Sequence, residues 1–212
     1  MTETPERVGT TTRLSVFPLP GALLFPGMHL PLHIFEPRYR ALVSDAMARD
    51  RRIGMIQPRP ASGEPPALFD LGCVGRIVEV EALDDGRYNL ILEGAALFRL
   101  VRELDVTTAF RQVEAELLPV PTAETLSLGH RASLEAESRA FADAQGYAVD
   151  WDQVGRLDDQ SLVNGIAQIA PFDAAAKQAL LEAPDLESRA ELIIQLLHFF
   201  GRHGGGDRVT LQ

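Results

Sequence analysis

The chain has 212 residues and a mass of 23.2 kDa, which fits one large domain or two small lobes. Hydrophobic residues make up 46% and charged residues 24% of the chain, a balance that excludes disordered and fibrous proteins. Thirty Asp and Glu residues against twenty Lys and Arg residues give a formal net charge of −10. That sign disfavours a protein that neutralises many phosphates, so we expect no nucleic-acid partner.

Nearly all of the positive charge is arginine, because Lys177 is the only lysine. A Walker-type ATP site needs a lysine after its glycine-rich loop, and Lys177 follows three alanines instead. The stretch DAAAKQALLEA around it is typical of an amphipathic helix, on which we expect Lys177 to be a solvated surface residue. A phosphate-binding ATPase site is therefore excluded.

Cysteine content and hydrophobic runs indicate the compartment. The single cysteine, Cys73, excludes an internal disulfide and a zinc cluster of several thiolates, and we expect it to be a small buried thiol. Neither a secretion signal nor an apolar run of membrane-spanning length is visible in the sequence. These patterns predict a cytoplasmic protein that does not contact a membrane.

In chain order, the composition divides the sequence into four segments. Residues 1–12 are polar and we expect them to be disordered, and residues 204–212 begin with a glycine cluster and are expected to form a flexible tail. Residues 13–120 contain short β-type runs between Pro, Gly and Asp turns. Residues 121–203 repeat Ala, Leu and Glu at helical spacing. The predicted fold class is therefore α+β.

Short strands are predicted through the first lobe, at 14–19, 29–35, 52–57, 74–82, 87–93, 97–104 and 110–120. One helix is inserted early: it begins at Pro37 and carries an apolar stripe that includes Tyr39, Leu42, Val43 and Ala46. Gly94 interrupts the strand pattern and predicts a bulge or bend. Strands of this number and length predict a closed or nearly closed antiparallel barrel.

Three or four helices are predicted in the second lobe. The longest covers 123–145 and ends at Gly146, while Asp158 or Asp159, Asp173 and Asp185 are placed to cap later helices. Residues 1–119 hold 16 acidic and 13 basic residues, and residues 120–212 hold 14 acidic and 7 basic residues. The excess negative charge therefore belongs mainly to the helical lobe.

The sequence contains no motif for catalysis or for a metal. The nucleophile elbow GxSxG and the zinc motif HExxH are absent, and His29 and His33 share a strand face without a third ligand nearby. We therefore predict no catalytic residue, no metal site and no cofactor. A hydrolase site assembled in space from Ser or Cys, His and a carboxylate stays open at this point.

One turn carries more apolar side chains than a surface turn usually does. Leu23 to Met28 surround a Pro–Gly pair, where polar residues would be expected. Either these side chains pack into the core, or they form an exposed strip that meets another polypeptide. Likewise, Glu36, Arg38 and Tyr39 in the segment EPRY are either recognition residues or the entrance to a packed helix.

Three ordered segments resemble the N-terminal substrate-binding domain of the Lon proteases. They are FPLPGALLFPGMHLPLHIFEPRYRALVSDAM (17–47), LGCVGRIVEVEALDDGRYNLILEGAALFRL (71–100) and APFDAAAKQALLEAPDLESRAELIIQLL (170–197). The sequence departs from the family at Leu97, where an arginine is common. The resemblance runs from about residue 13 to residue 200 and includes neither the ATPase nor the peptidase module.

The resemblance implies a PUA-like antiparallel β-barrel followed by a helical bundle. It also implies a non-enzymatic bacterial module that binds unfolded or partner polypeptides, with a homo-oligomer left open. The candidate peptide-binding residues are Leu24, Phe25, Pro26, Met28, Phe35, Arg38 and Tyr39. The alternative is a PUA-like barrel that binds a small molecule or RNA.

Overall fold

A computed structural model describes residues 11–60, 63, 65–119 and 124–203. The chain divides into two compact units. The strand unit comprises Met1–Pro20 and Leu24–Val120, and the helical unit comprises Gly21–Leu23 and Pro121–Gln212. The predicted flexible tail and all but two residues of the predicted disordered N-terminus lie outside the described residues, and Thr11 and Thr12 belong to the first strand.

Six strands and one helix form the described part of the strand unit. In chain order they are β1 (Thr11–Pro18), β2 (His29–Ile34), α1 (Pro37–Met47), β3 (Arg52–Ile56), β4 (Leu71–Ala82), β5 (Tyr88–Glu103) and β6 (Gln112–Leu117). The strand order is β2-β5-β4-β3-β1-β6, and β6 also pairs with β5. The path of pairings from β5 through β4, β3, β1 and β6 therefore returns to β5, with β2 attached outside it.

The sheet is mixed, so the prediction of an antiparallel barrel is wrong for one strand pair. β1 runs parallel to β3, with Val16 opposite Gly54 and Pro18 opposite Ile56. A parallel pair needs a long crossover connection, and the 33 residues between Pro18 and Arg52 supply it as β2 and α1. The predicted helix is therefore part of the connection that allows β3 to run parallel to β1.

Gly94 is the point where two parts of the strand unit approach closely. Its N–H donates to the Met28 carbonyl and its carbonyl accepts from the Gly27 N–H, each at 2.8 Å. A Cβ atom at Gly94 would overlap the Phe25 carbonyl, so only glycine fits here. The register shifts between Val74 and Gly75 on the opposite strand. The predicted bulge is therefore present, but β5 continues through it.

Apolar side chains from β1, β3, β4, β5 and β6 fill the core of the strand unit. The cluster comprises Leu14, Val16, Ile56, Leu68, Val74, Phe98, Val113 and Ala115. Helix α1 buries Tyr39, Leu42, Val43 and Ala46, which confirms the predicted apolar stripe. Burial of each large apolar side chain stabilises the fold by about 1.5–3 kcal/mol.

The helical unit contains five described helices, which are α2 (Leu128–Gln145), α3 (Trp151–Val154), α4 (Asp159–Ile169), α5 (Ala174–Glu182) and α6 (Leu186–His203). The predicted caps are confirmed. Asp158 accepts from the Ser161 N–H at 2.8 Å, Asp173 from the Ala176 N–H at 2.8 Å, and Asp185 from the Ser188 N–H at 2.7 Å. Gly146 ends α2 with φ 73°, the left-handed conformation expected there.

Lys177 is buried, so the prediction of a solvated surface lysine is wrong. Only 9% of the residue is exposed, and its Nζ donates to the Gln168 carbonyl at 3.0 Å, near the end of α4. Leu180 and Leu181, which follow Lys177 by three and four residues, are buried on the same helix face. Burial lowers the pKa of the Lys177 ammonium.

Candidate functional site

Three of the seven candidate peptide-binding residues are core residues. Phe25 is fully buried, Leu24 is 1% exposed and Tyr39 is 6% exposed. The Tyr39 ring packs 4.1 Å from the Phe17 ring, and its hydroxyl donates to the Pro18 carbonyl at 3.3 Å. The packing interpretation therefore holds for these three, and they do not belong to an exposed strip.

The other four candidates reach the surface at two places. Pro26 and Met28 are half-buried before β2, and Phe35 and Arg38 are exposed after it. The six residues of β2 span roughly 20 Å at about 3.3 Å per residue. The sequence neighbours thus do not form one patch, because a strand separates them.

Phe35 is the most exposed aromatic side chain of the described strand unit, at 61%. Its ring stacks on the His33 ring with centroids 6.2 Å apart. The Arg38 guanidinium lies 4.5 Å from the Tyr39 ring centroid and pairs with Glu36 at 2.9 Å. Phe35 therefore offers a free aromatic face, whereas Arg38 already has both an aromatic and an acidic partner.

The exposed row of β2 leads from Phe35 into a shallow trough across three strands, which we call the outer sheet face. Its volume is about 520 Å³, and it is lined by Pro31, Leu32, His33, Glu79, Val80, Glu81, Asn89, Leu90 and Ile91. Paired positions cross it: Pro31 lies opposite Ile91, and Ile91 opposite Glu79. The face thus combines apolar and acidic side chains on one rigid support.

A chain of hydrogen bonds fixes the side chains at one end of the outer sheet face. Arg87 approaches His33 Nε2 at 3.2 Å, and a guanidinium can only donate, so Nε2 accepts. His33 Nδ1 then carries the proton and donates to Asn89 Oδ1 at 2.7 Å. Asn89 Nδ2 donates in turn to Glu81 at 2.8 Å. These bonds hold the His33 ring in place beside Phe35.

A second concave surface belongs to the helical unit, and we call it the helical groove. Its volume is about 280 Å³. Lining residues come from α2, α3, α4, α6 and the segments between them, and they are Ser138, Phe141, Ala142, Tyr147, Val149, Trp151, Val154, Leu157, Ser161, Leu162, Gly165, Ile166, Ile169, Ala170, Pro171 and Leu197. None of them is charged.

Several groove side chains are exposed although they are apolar. Ile169 is 81% exposed, Tyr147 51% and Leu157 42%. The Arg139 guanidinium lies 4.6 Å from the Trp151 ring centroid and so fixes the indole by a cation–π contact. Contiguous exposed apolar surface of this kind is typical of interaction sites.

One polar atom in the groove lining lacks a partner among the described residues. Ser138 is 8% exposed, and its Oγ has no hydrogen bond within the described part of the chain. A buried hydroxyl without a partner costs about 1–3 kcal/mol.

Acidic residues adjoin the groove. Asp150, Asp152 and Asp158 each neighbour a lining residue in sequence, and so does Asp143 on α2. Asp150 and Asp158 cap α3 and α4, and the Ser161 N–H holds the pKa of Asp158 below its usual value. Asp143 and Asp152 are exposed, and neither joins an ion pair among the described residues. By the same measure Arg139 adjoins Ser138 and Arg156 adjoins Leu157, so four aspartates and two arginines neighbour the lining in sequence.

A serine, a histidine and two carboxylates converge at the start of α2, but not in the geometry of a catalytic triad. Ser127 Oγ lies 3.0 Å from His130 Nδ1, Glu187 contacts the same nitrogen at 2.5 Å, and Glu191 lies 3.2 Å from Nε2. A carboxylate only accepts hydrogen bonds, so Nδ1 donates its proton to Glu187 and cannot take the proton of Ser127 as the base of a triad does. Ser127 Oγ also accepts from the His130 N–H, so this arrangement caps α2.

Other chemical groups give no site among the described residues. Cys73 is buried as predicted, and burial raises the pKa of its thiol to about 12, far from a reactive thiolate. Within the same residues no cluster of His, Cys, Asp and Glu could hold a metal ion. The described helices are also too short or too polar to cross a membrane.

Sequence reasoning missed the helical groove. The segment after Gly146 places Tyr147, Val149, Trp151, Val154 and Leu157 within eleven residues. That density of large apolar side chains between two helices was the available signal. A four-residue helix such as α3 is too short for periodicity to reveal.

Comparison with known families gives one match that covers most of the chain. Residues 13–198 match the model of the ATP-dependent protease La (LON) substrate-binding domain. Among curated proteins, the chain is 29% identical to Lon protease 2 of Myxococcus xanthus over 201 residues and 30% identical to a Lon protease of Paraburkholderia phytofirmans over 194 residues. These matches cover 87% and 85% of this chain but 23% of each relative, so the chain spans about a quarter of their length.

Solved structures agree on the fold. The N-terminal domain of a Mycobacterium avium complex Lon protease superposes with a TM-score of 0.68 at 20% identity, covering 88% of this chain and 98% of that one. A Lon N-terminal domain protein from Xanthomonas campestris gives a TM-score of 0.65 at 23% identity, covering 89% and 98%. The similarity therefore includes both the strand unit and most of the helical unit.

Proposed function

The chain belongs to the Lon substrate-binding domain family, and on that premise we propose that it recognises unfolded or partner polypeptides and catalyses no reaction itself. We include in this proposal a cytoplasmic location and a PUA-like strand unit, which the return of the strand pairings to β5 supports. No described cluster of side chains has the geometry of a catalytic site, which favours recognition over a hydrolase.

The observation that carries the proposal is the free aromatic face of Phe35 at the end of the outer sheet face. Exposed aromatic side chains beside a rigid, partly apolar trough are typical anchors of protein interfaces. Arg38 follows Phe35 after β2, whereas the half-buried Pro26 and Met28 lie before that strand and form a separate candidate. Phe35 and Arg38 therefore replace the seven-residue strip as the first candidate polypeptide contact of the strand unit.

RNA is the weaker alternative for this surface. The strand unit has a net charge of −3, and its arginines are largely matched by carboxylates, as in the pairs Arg76–Glu93 and Arg102–Glu114. The outer sheet face itself contributes Glu79 and Glu81. Phosphate backbones would be repelled there, so we propose no nucleic-acid partner.

The test compares Phe35→Ala with Val101→Ala, since Val101 is 51% exposed on β5 and lies outside the outer sheet face. Binding of a fluorescently labelled, reduced and carboxymethylated protein is followed by anisotropy, with the same protein in its folded form as the reference ligand. We expect Phe35→Ala to weaken binding of the unfolded form by about 5–30-fold, as for an aromatic anchor. Val101→Ala should leave it unchanged.

Both variants should retain the unfolding free energy of the parent within about 0.5 kcal/mol, because each site is on the surface. Equal binding of folded and unfolded ligand would contradict polypeptide recognition. Equal effects of the two substitutions would instead contradict the assignment to Phe35.

A further inference from the structure

We propose that the outer sheet face binds an extended polypeptide segment that carries an apolar anchor and, about five residues from it, an arginine or lysine. The anchor packs on Phe35, and the cation pairs with Glu79. This inference rests on the proposed polypeptide recognition and adds the chemistry and the spacing of the segment that is recognised. It concerns the strand unit alone.

The register of three strands places exposed side chains of the outer sheet face in one row. Pro31 on β2 lies opposite Ile91 on β5, and Ile91 lies opposite Glu79 on β4. Because side chains alternate along a strand, these three point to the same side of the sheet. Glu79 therefore stands beside an apolar floor, two strands away from β2.

Glu79 is the one carboxylate of the trough lining without a partner among the described residues. The lining contains Glu79 and Glu81 and no arginine or lysine. Glu81 accepts from the Asn89 amide at 2.8 Å, which positions the carboxylate without neutralising it. Exposed Glu79 makes neither a hydrogen bond nor an ion pair within the described part of the chain. The trough thus presents negative charge to a bound segment.

The arginines that border these rows do not cancel this charge, because each pairs with a carboxylate outside the trough. Arg76 on β4 pairs with Glu93 at 2.5 Å, and Arg87 pairs with Asp85 at 2.6 Å. A bound cation therefore finds Glu79 open. A segment with Arg or Lys gains attraction at this face, and an acidic segment is repelled.

Strand geometry sets the distance between the two contacts. Phe35 lies four residues beyond Pro31, about 13 Å at roughly 3.3 Å per residue, and Glu79 lies two strands from Pro31, about 10 Å. The diagonal is about 16 Å, which an extended segment spans with about five residues. Ile91 lies between the two ends and contacts the residues in between. The spacing therefore follows from the register.

Synthetic peptides test the charge and the spacing. Each has one Phe–Leu pair in a Ser–Gly background, one charged residue and a dye without net charge. Arg or Glu stands five residues from the pair, on either side, or directly beside it, and binding to the chain is followed by anisotropy. At the longer spacing we expect Arg over Glu by about 3–10-fold, since Arg gains an exposed ion pair and Glu is repelled. The preference should shrink at the short spacing and at 1 M salt, where the Debye length is about 3 Å.

Matched substitutions assign the contacts. Glu79→Gln should remove the preference for Arg, while Asp105→Asn, which removes an exposed carboxylate outside the outer sheet face, should keep it. Ile91→Thr should weaken every peptide, whereas Val101→Thr on the same strand should weaken none. Phe35→Ala should weaken Arg and Glu peptides by the same factor. The ratio of the two affinities does not depend on the folded fraction, so it stays informative for a less stable variant.

Several outcomes would overturn the inference. Equal affinity for Arg and Glu peptides would remove the charge argument, and equal preference at both spacings would remove the geometric one. A preference that Asp105→Asn reduces as much as Glu79→Gln would reflect only the net charge of the chain. Competition by free arginine as strong as that by the Arg peptide would identify a small cation as the ligand instead.

The same measurements separate this inference from the proposed function. If unfolded protein binds and depends on Phe35 while Glu79→Gln leaves the preference for Arg unchanged, the cation contact is wrong and polypeptide recognition stands. If neither unfolded protein nor any peptide binds, the proposed function fails and the inference fails with it.

Discussion

The two units use their acidic residues in different ways. In the strand unit, carboxylates pair with arginines, as in Arg76–Glu93, Arg102–Glu114 and Arg111–Glu103. In the helical unit, aspartates accept backbone N–H groups at helix starts, as Asp158 and Asp173 do. Exposed ion pairs contribute about 0–1 kcal/mol each and helix caps about 0.5–2 kcal/mol. Acidic residues should therefore contribute more to the stability of the helical unit.

The two units are also stabilised by different interactions. The strand unit depends on close backbone approach and on apolar packing, as at Gly94, and its charges are nearly balanced. The helical unit uses its aspartates to begin helices and retains an excess of negative charge. The same excess surrounds its apolar groove. Substitutions in the strand unit and in the helical unit test these two modes of stabilisation.

Gly94→Ala should have the largest effect. The new methyl group would overlap the Phe25 carbonyl, so the turn before β2 must move away from β5, at a cost of about 3 kcal/mol or more in unfolding free energy. Gly129→Ala is the control, because no atom lies within 4 Å of a Cβ there. It should stabilise the helical unit by up to about 1 kcal/mol. Urea unfolding measures both, and a neutral Gly94→Ala would show that close approach is unimportant.

Asp159→Asn should have an intermediate effect. Asp159 accepts from the Leu126 N–H at 2.8 Å and from Arg131 at 2.6 Å, and these bonds lower its pKa. Loss of the charge should cost about 1 kcal/mol at pH 7, because bonds to charged groups exceed neutral ones by about that much. Asp143→Asn, on an exposed residue outside any described ion pair, is the matched control and should cost less.

The pH dependence of Asp159 has a definite sign. A carboxyl whose folded pKa is depressed stabilises the fold above its unfolded pKa of about 3.9, and this contribution disappears as the pH falls through the folded pKa. The difference between parent and Asp159→Asn should therefore be full at pH 7 and should shrink as the pH falls below about 3.9 and through the folded pKa. A difference that stays constant with pH would contradict the role of the charge.

Lys177→Met should have the smallest effect at pH 7 and a distinctive one at alkaline pH. Burial lowers the folded pKa of Lys177, so the unfolded chain binds more protons between that pKa and the unfolded value of about 10.4. The unfolding free energy contributed by Lys177 therefore rises with pH through this window. Lys177→Met should abolish the rise, and Lys177→Arg, which stays charged, should abolish it while keeping a donor for Gln168. An unchanged alkaline slope would contradict the burial.

Much of the fold could be predicted where one local signal decides the structure. Helix α1 combines Pro37 at its start with an apolar stripe, and Asp173 and Gly146 are cap residues whose side-chain or backbone preference acts within a few positions. Such signals do not depend on the rest of the chain. The parallel pairing of β1 with β3 depends on the path of the long segment that connects these strands, and no local signal determines that path.

The candidate site was harder to predict for a related reason. A run of large apolar residues such as Leu24 and Phe25 gives the same sequence pattern whether it faces solvent or the core. Here both side chains are buried, and Gly94 bonds to the backbone of the turn that follows them. The charge of Lys177 indicates a surface position, but its spacing of three and four residues from Leu180 and Leu181 places it on the buried face of α5. The helical groove is lined by residues of four helices, and no spacing in the sequence indicates that these residues lie close together.

Strand β2 has a consequence for solubility. It ends the strand order of the described residues, and ends of sheets can recruit strands from other molecules. Pro31, in the middle of β2, carries no backbone N–H, which interrupts the row of donors that an incoming strand would need. The strand can therefore keep Phe35 exposed without inviting edge-to-edge aggregation, and a Pro31→Thr chain should aggregate sooner than its parent.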